Sequence, residues 1–434
     1  MAESTTQRSD WLSRMLGATI EGPLPLLLLL VAFAGGIVAL MITAREEEPQ
    51  IVVPLADVLI AAPGLSAEQV ERQIATPLEK FLHQIDGVEH VYSMSRPGQC
   101  VVTVRFFVGE DREDSLVKIY NKVFSQIDQI PAAVQSWVVK PIEVDDVPIV
   151  VAALWSDNPG LTGDHELRRL AEEIEHDLQS IKDTSRIEVT GGRPRQIRVE
   201  LDPEALASRR TTPLEVAWAI DISNKLVPAG DVQVLDQNIA IEAGDFIHSA
   251  GDLRKLVINV VDGVPIYLDD VARVIDGPAE PASYTWLGFG PASDRQQQNP
   301  DIYPAVAISI AKKKGANAVW VAEEVEDYFA KLKRDIFPPE VNYRIIRNYG
   351  RTADDKINNL VSSLLVAMLT VTVFIGIFLG WRAALVVGLA VPICYGITLV
   401  LGLYVGYTIN RVTLFALILA LGLLVDDPIT GVDN

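Results

Sequence analysis

Two adjacent aspartates, Asp426 and Asp427, interrupt an otherwise uncharged run that begins after Arg411. The run Val412 to Val425 reads as a helix starting near Asn410. If that helix lies in a bilayer, one aspartate at its centre costs about 2.5–3.5 kcal/mol on insertion scales, and two cost more. Such a cost persists where the pair faces a polar bundle interior. Desolvation and mutual repulsion disfavour two negative charges side by side, so at least one carboxyl is expected to hold a proton near neutrality. Carboxyls that load and release protons are what a proton-coupled transporter requires. The competing reading ends the helix at Asp426, after about 16 residues, and leaves both carboxylates at the interface.

Other chemistries fit less well. An aspartyl-protease dyad needs carboxyls that share a proton face to face, whereas neighbours on one helix point about 100° apart. The five histidines build no metal site. His165 and His176 stand about 16 Å apart along a helix, and His83, His90 and His248 are isolated. Gly191-Gly192 lacks the lysine and serine or threonine of a phosphate loop, which argues against direct use of ATP. No cofactor, no metal and no enzymatic activity are expected.

The elements that position the aspartates emerge from charge segregation. The 434 residues carry a net charge of -20, yet 49% are hydrophobic and the mean hydropathy is +0.24. The acidic balance excludes nucleic acid as a partner, because phosphate binding needs clustered Lys and Arg. No charge lies between Glu21 and Arg45, between Lys356 and Arg382, or between Arg382 and Arg411. Each gap exceeds the roughly 20 residues that cross a bilayer core. With the run after Arg411 they predict four transmembrane helices: 23–44, 357–380, 383–404 and 410–432. Buried helices of a soluble protein are the competing reading. Residues 1–22 form an N-terminal segment, and Arg8, Arg14 and Arg382 favour its cytoplasmic placement. The first run is too long for a signal peptide and is followed by the charged Arg45-Glu46-Glu47-Glu48, so it reads as a retained anchor. Cys100 falls in the polar block and Cys394 in a membrane helix, so they are not expected to pair.

Residues 45–356 then form an extracytoplasmic α+β block. Ile51–Ile60 reads as a strand, Ser66 with Gln69 as a capping box, and Val70, Ile74, Leu78, Phe81, Leu82 and Ile85 as one helix face. Val88–Ser93 and the alternating Val102, Val104, Phe106 and Val108 read as strands. Leu116, Ile119, Tyr120, Val123, Phe124 and Ile127 stripe a second helix, and Ile149–Leu154 is read as the closing strand of a β-α-β-β-α-β unit. A second unit starts at that strand, with a helix on Leu167–Ile181 and a strand at Arg186–Thr190. It resumes with Val306, Ile308 and Ile310, an Asn317-capped helix and a strand at Val341–Ile346. About 195–277 is an insertion with its own strands and a helix near Pro213–Asn224. Trp286–Tyr303 reads as a surface loop. Gly376 with Gly380, and Ala384 with Gly388, allow close helix packing, and Pro392 is expected to kink the third span.

The chain resembles the N-terminal part of the resistance-nodulation-division (RND) efflux permeases. The resemblance rests first on Thr408-Ile409-Asn410-Arg411, Thr413-Leu414-Phe415 and Gly422-Leu423-Leu424-Val425-Asp426-Asp427. Ala62-Pro63-Gly64-Leu65-Ser66-Ala67-Glu68, Thr76-Pro77-Leu78-Glu79, Gly87-Val88, Lys314-Gly315-Ala316-Asn317-Ala318-Val319 and, more weakly, Pro228-Ala229-Gly230 extend it from about Pro23 onward. It implies a four-helix transmembrane bundle with ferredoxin-like porter units in the periplasm. Residues 45–147 would be the first porter subdomain, 148–194 and 278–356 the two parts of the second, and 195–277 a docking-like insertion. Asp426 and Asp427 would be the proton relay of an inner-membrane exporter of small amphiphilic compounds. Full-length members form homotrimers with a periplasmic adaptor and an outer-membrane channel. The paired aspartates and only five methionines resemble the amphiphile exporters more than the heavy-metal branch. Pro428, Thr430, Gly431 and Asp433 depart from the common pattern. A full permease continues for more than as many residues again, with eight further helices and the lysine that pairs with the aspartates, so these residues are not expected to pump alone. A protein-export accessory of the same superfamily and a ligand-binding or sensory membrane protein are the alternatives.

Overall fold

A computed structural model describes residues 24–49, 51, 53–143, 146–234, 237–291, 293 and 302–433. The chain begins with helix α1 (Leu24–Ile42) and then enters the first sheet unit. Strand β1 (Leu55–Ala61) leads through a turn with Gly64 at positive φ into helix α2, which comprises Ala67–Val70, a π turn over Glu71–Ala75, and Thr76–Leu82. The expected capping box is present: the Gln69 amide donates to Ser66 Oγ (3.3 Å) and the Ser66 amide to Gln69 Oε1 (2.8 Å). The wide turn sits just before Pro77, whose ring supplies no amide and crowds the preceding turn. Strands β2 (Val88–Arg96) and β3 (Gln99–Phe106), helix α3 (Arg112–Phe124) and strand β4 (Ser136–Ile142) complete the unit.

The β-α-β-β-α-β order is present, with an antiparallel sheet ordered β2-β3-β1-β4. Its closing strand differs from the expectation. It is β4, and the Ile149–Leu154 strand belongs to the next sheet. The reason is physical: β4 is an edge strand holding Pro141, with only Val139 buried, so it shows neither alternation nor an apolar run. Proline is tolerated there because an edge strand leaves one row of amides unpaired.

Strand β5 (Pro148–Ser156), helix α4 (Asp164–Leu178) and strand β6 (Thr184–Thr190) open the second unit. The insertion leaves along β7 (Arg195–Leu201). It contains α5 (Pro203–Ser208), α6 (Pro213–Ser223), the hairpin β8 (Lys225–Val234) with β9 (Gln237–Asp245), α7 (Ala250–Arg254), and the hairpin β10 (Val257–Val261) with β11 (Val264–Tyr267). It returns along β12 (Ala272–Pro278), which pairs with β7 as a two-stranded stem. The insertion has its own core around Leu206, Val216, Leu253, Leu268 and Val274. Strand β13 (Trp286–Gly288) then pairs with β14 (Ile302–Lys312), so part of the expected loop is strand. Residues 292 and 294–301 of that loop, with the glutamine run, lie outside the described residues. Helix α8 (Ala318–Asp335) and strand β15 (Val341–Asn348) close the unit. Its sheet runs β6-β14-β5-β15, all antiparallel. Second, third, first, fourth is also the order of the first sheet, so the two units repeat one topology despite the interruption.

At the base of the stem, Arg193 forks onto Asp164 (2.9 and 2.8 Å) and Arg195 onto Asp276 (2.8 and 2.6 Å). Hydrogen bonds from the Arg193 guanidinium hold the Asp164 carboxyl below the usual carboxylate range. A depressed folded value means that the stabilisation is complete above the unfolded value and lost as pH falls through the folded one. Acidification through and below the ordinary aspartate range should therefore loosen the stem. Faster amide exchange in peptides spanning 191–198 is the expected readout, and constant exchange over that range would contradict it.

Three further helices follow: α9 (Tyr349–Phe378), α10 (Trp381–Val405) and α11 (Arg411–Asp433). β15 passes directly into α9, with Asn348 Oδ1 accepting from the Arg351 amide as the cap (2.8 Å). The turn before Trp381 is as tight as expected, with Gly380 at positive φ. Among the described residues two helices, α9 and α10, are long and apolar enough to cross a membrane, and the shorter Leu26–Ile42 is also apolar. Helix α10 packs on α9 and on α1 through small residues. A Cβ on Gly376 would meet Ala384 at 3.4 Å, and one on Gly388 would meet Thr372 at 3.1 Å, which matches the expected small-residue seam. The closest approach is elsewhere, where Gly36 of α1 crosses Gly396 of α10. Pro392 lies inside α10, whose helical run is unbroken.

Candidate functional site

The helix that carries the aspartates is started by a small polar network. Asn410, only 2% exposed, accepts at Oδ1 from the Val412 and Thr413 amides, both at 3.0 Å. Its Nδ2 donates to Thr408 Oγ1 (3.1 Å), and Thr413 Oγ1 donates to the Asn410 carbonyl (3.0 Å). An N-cap asparagine satisfies amides that the first helical turn leaves orphaned. The Thr-x-Asn-x-x-Thr spacing thus defines where α11 begins. Asp426 follows 16 residues later, about 24 Å along the axis.

Helix α11 has two faces. Leu414, Leu421 and Val425 are buried, and Leu417 and Leu424 half-buried, against α9 and α10. Tyr395 Oη of α10 also donates to the Leu417 carbonyl (2.7 Å). On the other side Val412, Phe415, Leu419 and Leu423 are exposed, and Asp426 continues that line at helical spacing. The structure therefore places Asp426 on an apolar stripe that the other described helices leave uncovered. The described positions that precede Asp426 on that stripe are apolar, and α9 and α10 occupy the opposite face.

The helical backbone continues through Asp426 and Asp427 to Asp433, so the reading that ended the helix at Asp426 does not hold. Thr430 Oγ1 donates to the Asp426 carbonyl (2.8 Å) within this last stretch. The side chains of Asp427 and Pro428 lie outside what the structure describes, so Asp426 alone is placed. Sequence reasoning overlooked the capping role of Asn410 and Thr413, although an Asn followed by a Thr three residues on, ahead of an apolar run, is a helix-start signal. Among the described residues no group of three or more His, Cys, Asp or Glu is arranged to hold a metal ion.

The chain is 27% identical over 420 residues to the multidrug resistance protein MdtC of Yersinia pseudotuberculosis serotype O:1b (strain IP 31758), and equally to that of Yersinia pestis bv. Antiqua (strain Angola). The match covers 96% of this chain and 39% of each relative, so the chain spans about two fifths of their length. A family model matches residues 16–434, which include the Asn410 cap, the Asp426 stripe and both sheet units. On that match the chain belongs to the AcrB/AcrD/AcrF family, the RND permeases.

Proposed function

We propose that these residues are the N-terminal part of a proton-coupled RND exporter of the inner membrane, in which Asp426 and Asp427 bind the transported proton. The observation that carries the reading is an ionisable side chain on an apolar helix face. In a bilayer an aspartate at that depth is costly, and such residues mark ion pathways by default. The uncovered stripe suits contact with further helices of the whole protein, including a lysine that would pair with the aspartates.

The exposure of the helices supports a membrane-spanning bundle of all four. Only 6% of the most apolar stretch of α9, and 22% of that of α10, is buried within the chain, whereas a core helix of a soluble protein is mostly buried. Residues 45–356 would then stand in the periplasm. There the two sheets act as ferredoxin-like porter subdomains (45–147, and 148–194 with 278–356), and 195–277 as the docking-like insertion. The whole protein would be a homotrimer working with a periplasmic adaptor and an outer-membrane channel, and it would move small amphiphilic compounds without catalysing a reaction on them. The relatives' name, multidrug resistance protein, supports that substrate class. To test this, the full-length protein is reconstituted in liposomes with an amphiphilic fluorescent dye and an imposed pH gradient. Dye movement that stops on adding a protonophore is expected. Movement indifferent to the gradient would overturn the proton coupling, and no movement would overturn the exporter reading.

A further inference from the structure

Four consecutive charged side chains after α1 each pair with a different partner. Arg45 Nη1 meets Asp354 Oδ1 of α9 at 2.8 Å. Glu46 Oε2 meets Lys312 Nζ, the last residue of β14, at 3.1 Å. Glu47 pairs with Lys356 of α9, and Glu48 with Arg411 at the start of α11. The backbone of the same stretch is bound just as widely. The Ile409 amide donates to the Ala44 carbonyl (2.9 Å), the Glu46 amide to the Ile409 carbonyl (3.1 Å), and the Arg411 amide to the Glu47 carbonyl (3.4 Å). The Ala318 amide, an otherwise orphaned donor in the first turn of α8, donates to the Arg45 carbonyl (3.0 Å). Five residues thus join the end of α1, the start of α11, the upper part of α9 and the β14–α8 corner of the second sheet unit.

We propose that residues 44–48 form a coupling clasp that makes the start of the aspartate-bearing helix and the second sheet unit move as one body. The Glu46–Lys312 pair is its keystone. Both residues are almost fully buried, at 3% and 4% exposed. A buried ion pair adds little net stability over apolar side chains, but it penalises every arrangement that separates the charges. That property suits a joint required to keep one register while neighbouring elements shift. The Arg411–Glu48 pair is exposed and contributes little by comparison. The second sheet unit is also attached to α9, through the direct passage from β15 and the close packing of Gly350 on Ala318 and Ala322 of α8. With two attachments, a displacement at the top of α11 turns the unit rather than bending a linker. Motion coupled to Asp426 would then reach the unit through Asn410 and the clasp. That last consequence rests on the proton-binding reading, whereas the clasp itself does not.

The test is amide exchange by mass spectrometry on the full-length protein in lipid nanodiscs, at one pH and without a gradient. Lys312→Met touches only the Glu46 end of the clasp. Cooperative behaviour predicts that exchange in peptides spanning 44–48, 314–320 and 409–414 rises together, by roughly a hundredfold, as stranding a buried charge implies. Peptides of β1–β4 should be unchanged. The exchanged pair Glu46→Lys with Lys312→Glu should restore protection, and Glu48→Gln should have little effect. A rise confined to 44–48 would overturn the proposal, as would full protection in Lys312→Met. If Lys312→Met fails to assemble, the exchanged pair still decides. Protection on all three elements supports the clasp, and loss on one element alone refutes it. Asp426→Asn should leave the exchange pattern intact, so a failure of the proton reading would show in dye transport and not in this assay.

Discussion

Asp426→Asn in the full-length protein is expected to reduce gradient-driven dye transport to the leak of protein-free liposomes while leaving the helices assembled. Asparagine matches the aspartate in size but cannot ionise, so the substitution removes proton exchange and little else. Asp426 is exposed, and its carbonyl still accepts from Thr430. The effect on stability should therefore stay within about 0.5 kcal/mol, the usual range for a substitution outside the core. Any gain would come from removing a charge that costs about 2.5–3.5 kcal/mol at the centre of a bilayer. Activity lost with stability kept or raised is the signature of a residue retained for function at the expense of the fold. Asp427→Asn should match it if the two carboxyls act as one proton-binding unit. Transport unchanged in both variants would remove the aspartates from the mechanism.

The aspartate pair stood out in the sequence because its signal is a single contrast, carboxyls in an uncharged run. Which face of α11 carries Asp426 was not legible. The helix is apolar nearly all round, so periodicity gives no direction, and only packing by Leu414, Leu421 and Val425 assigns the inner face. In the sheet units, caps with a local mechanism were readable, as at Ser66 with Gln69 and at Asn317. Strand β4 was not, since edge position and Pro141 removed both alternation and apolar content. The Arg45–Glu48 stretch looked like a simple boundary between apolar and polar sequence. Its partners lie hundreds of residues away in the chain, and pairing at that separation leaves no local pattern.

The helix crossing that supports all this offers the second large effect. A Cβ on Gly396 would lie 2.6 Å from the Ala32 carbonyl oxygen and 3.4 Å from the Gly36 Cα. One on Gly36 would lie 2.4 Å from the Gly396 Cα. In both cases the obstacle is backbone, which cannot rotate aside as a side chain can. Gly396→Leu should therefore drive α1 away from α10. Overpacking a tight contact costs about 1–3 kcal/mol, and here the lost contact between backbones, on which helices in lipid rely, adds to it. On the proposed membrane-spanning reading the whole crossing is at stake, because no hydrophobic effect pulls helices together inside a bilayer. Two milder variants calibrate the result. Gly35→Ala meets only Val400 Cγ2, at 3.3 Å, and that side chain can give. Gly402→Ala meets Tyr407 Cβ at an ordinary 3.9 Å. Thermal unfolding in detergent should rank them Gly396→Leu far below wild type, Gly35→Ala slightly below, and Gly402→Ala level. A Gly396→Leu protein that melts with the wild type would mean that α1 is held by its ends alone, through the residues that follow Thr43. In that case Lys312→Met, and not the glycine substitution, should release it.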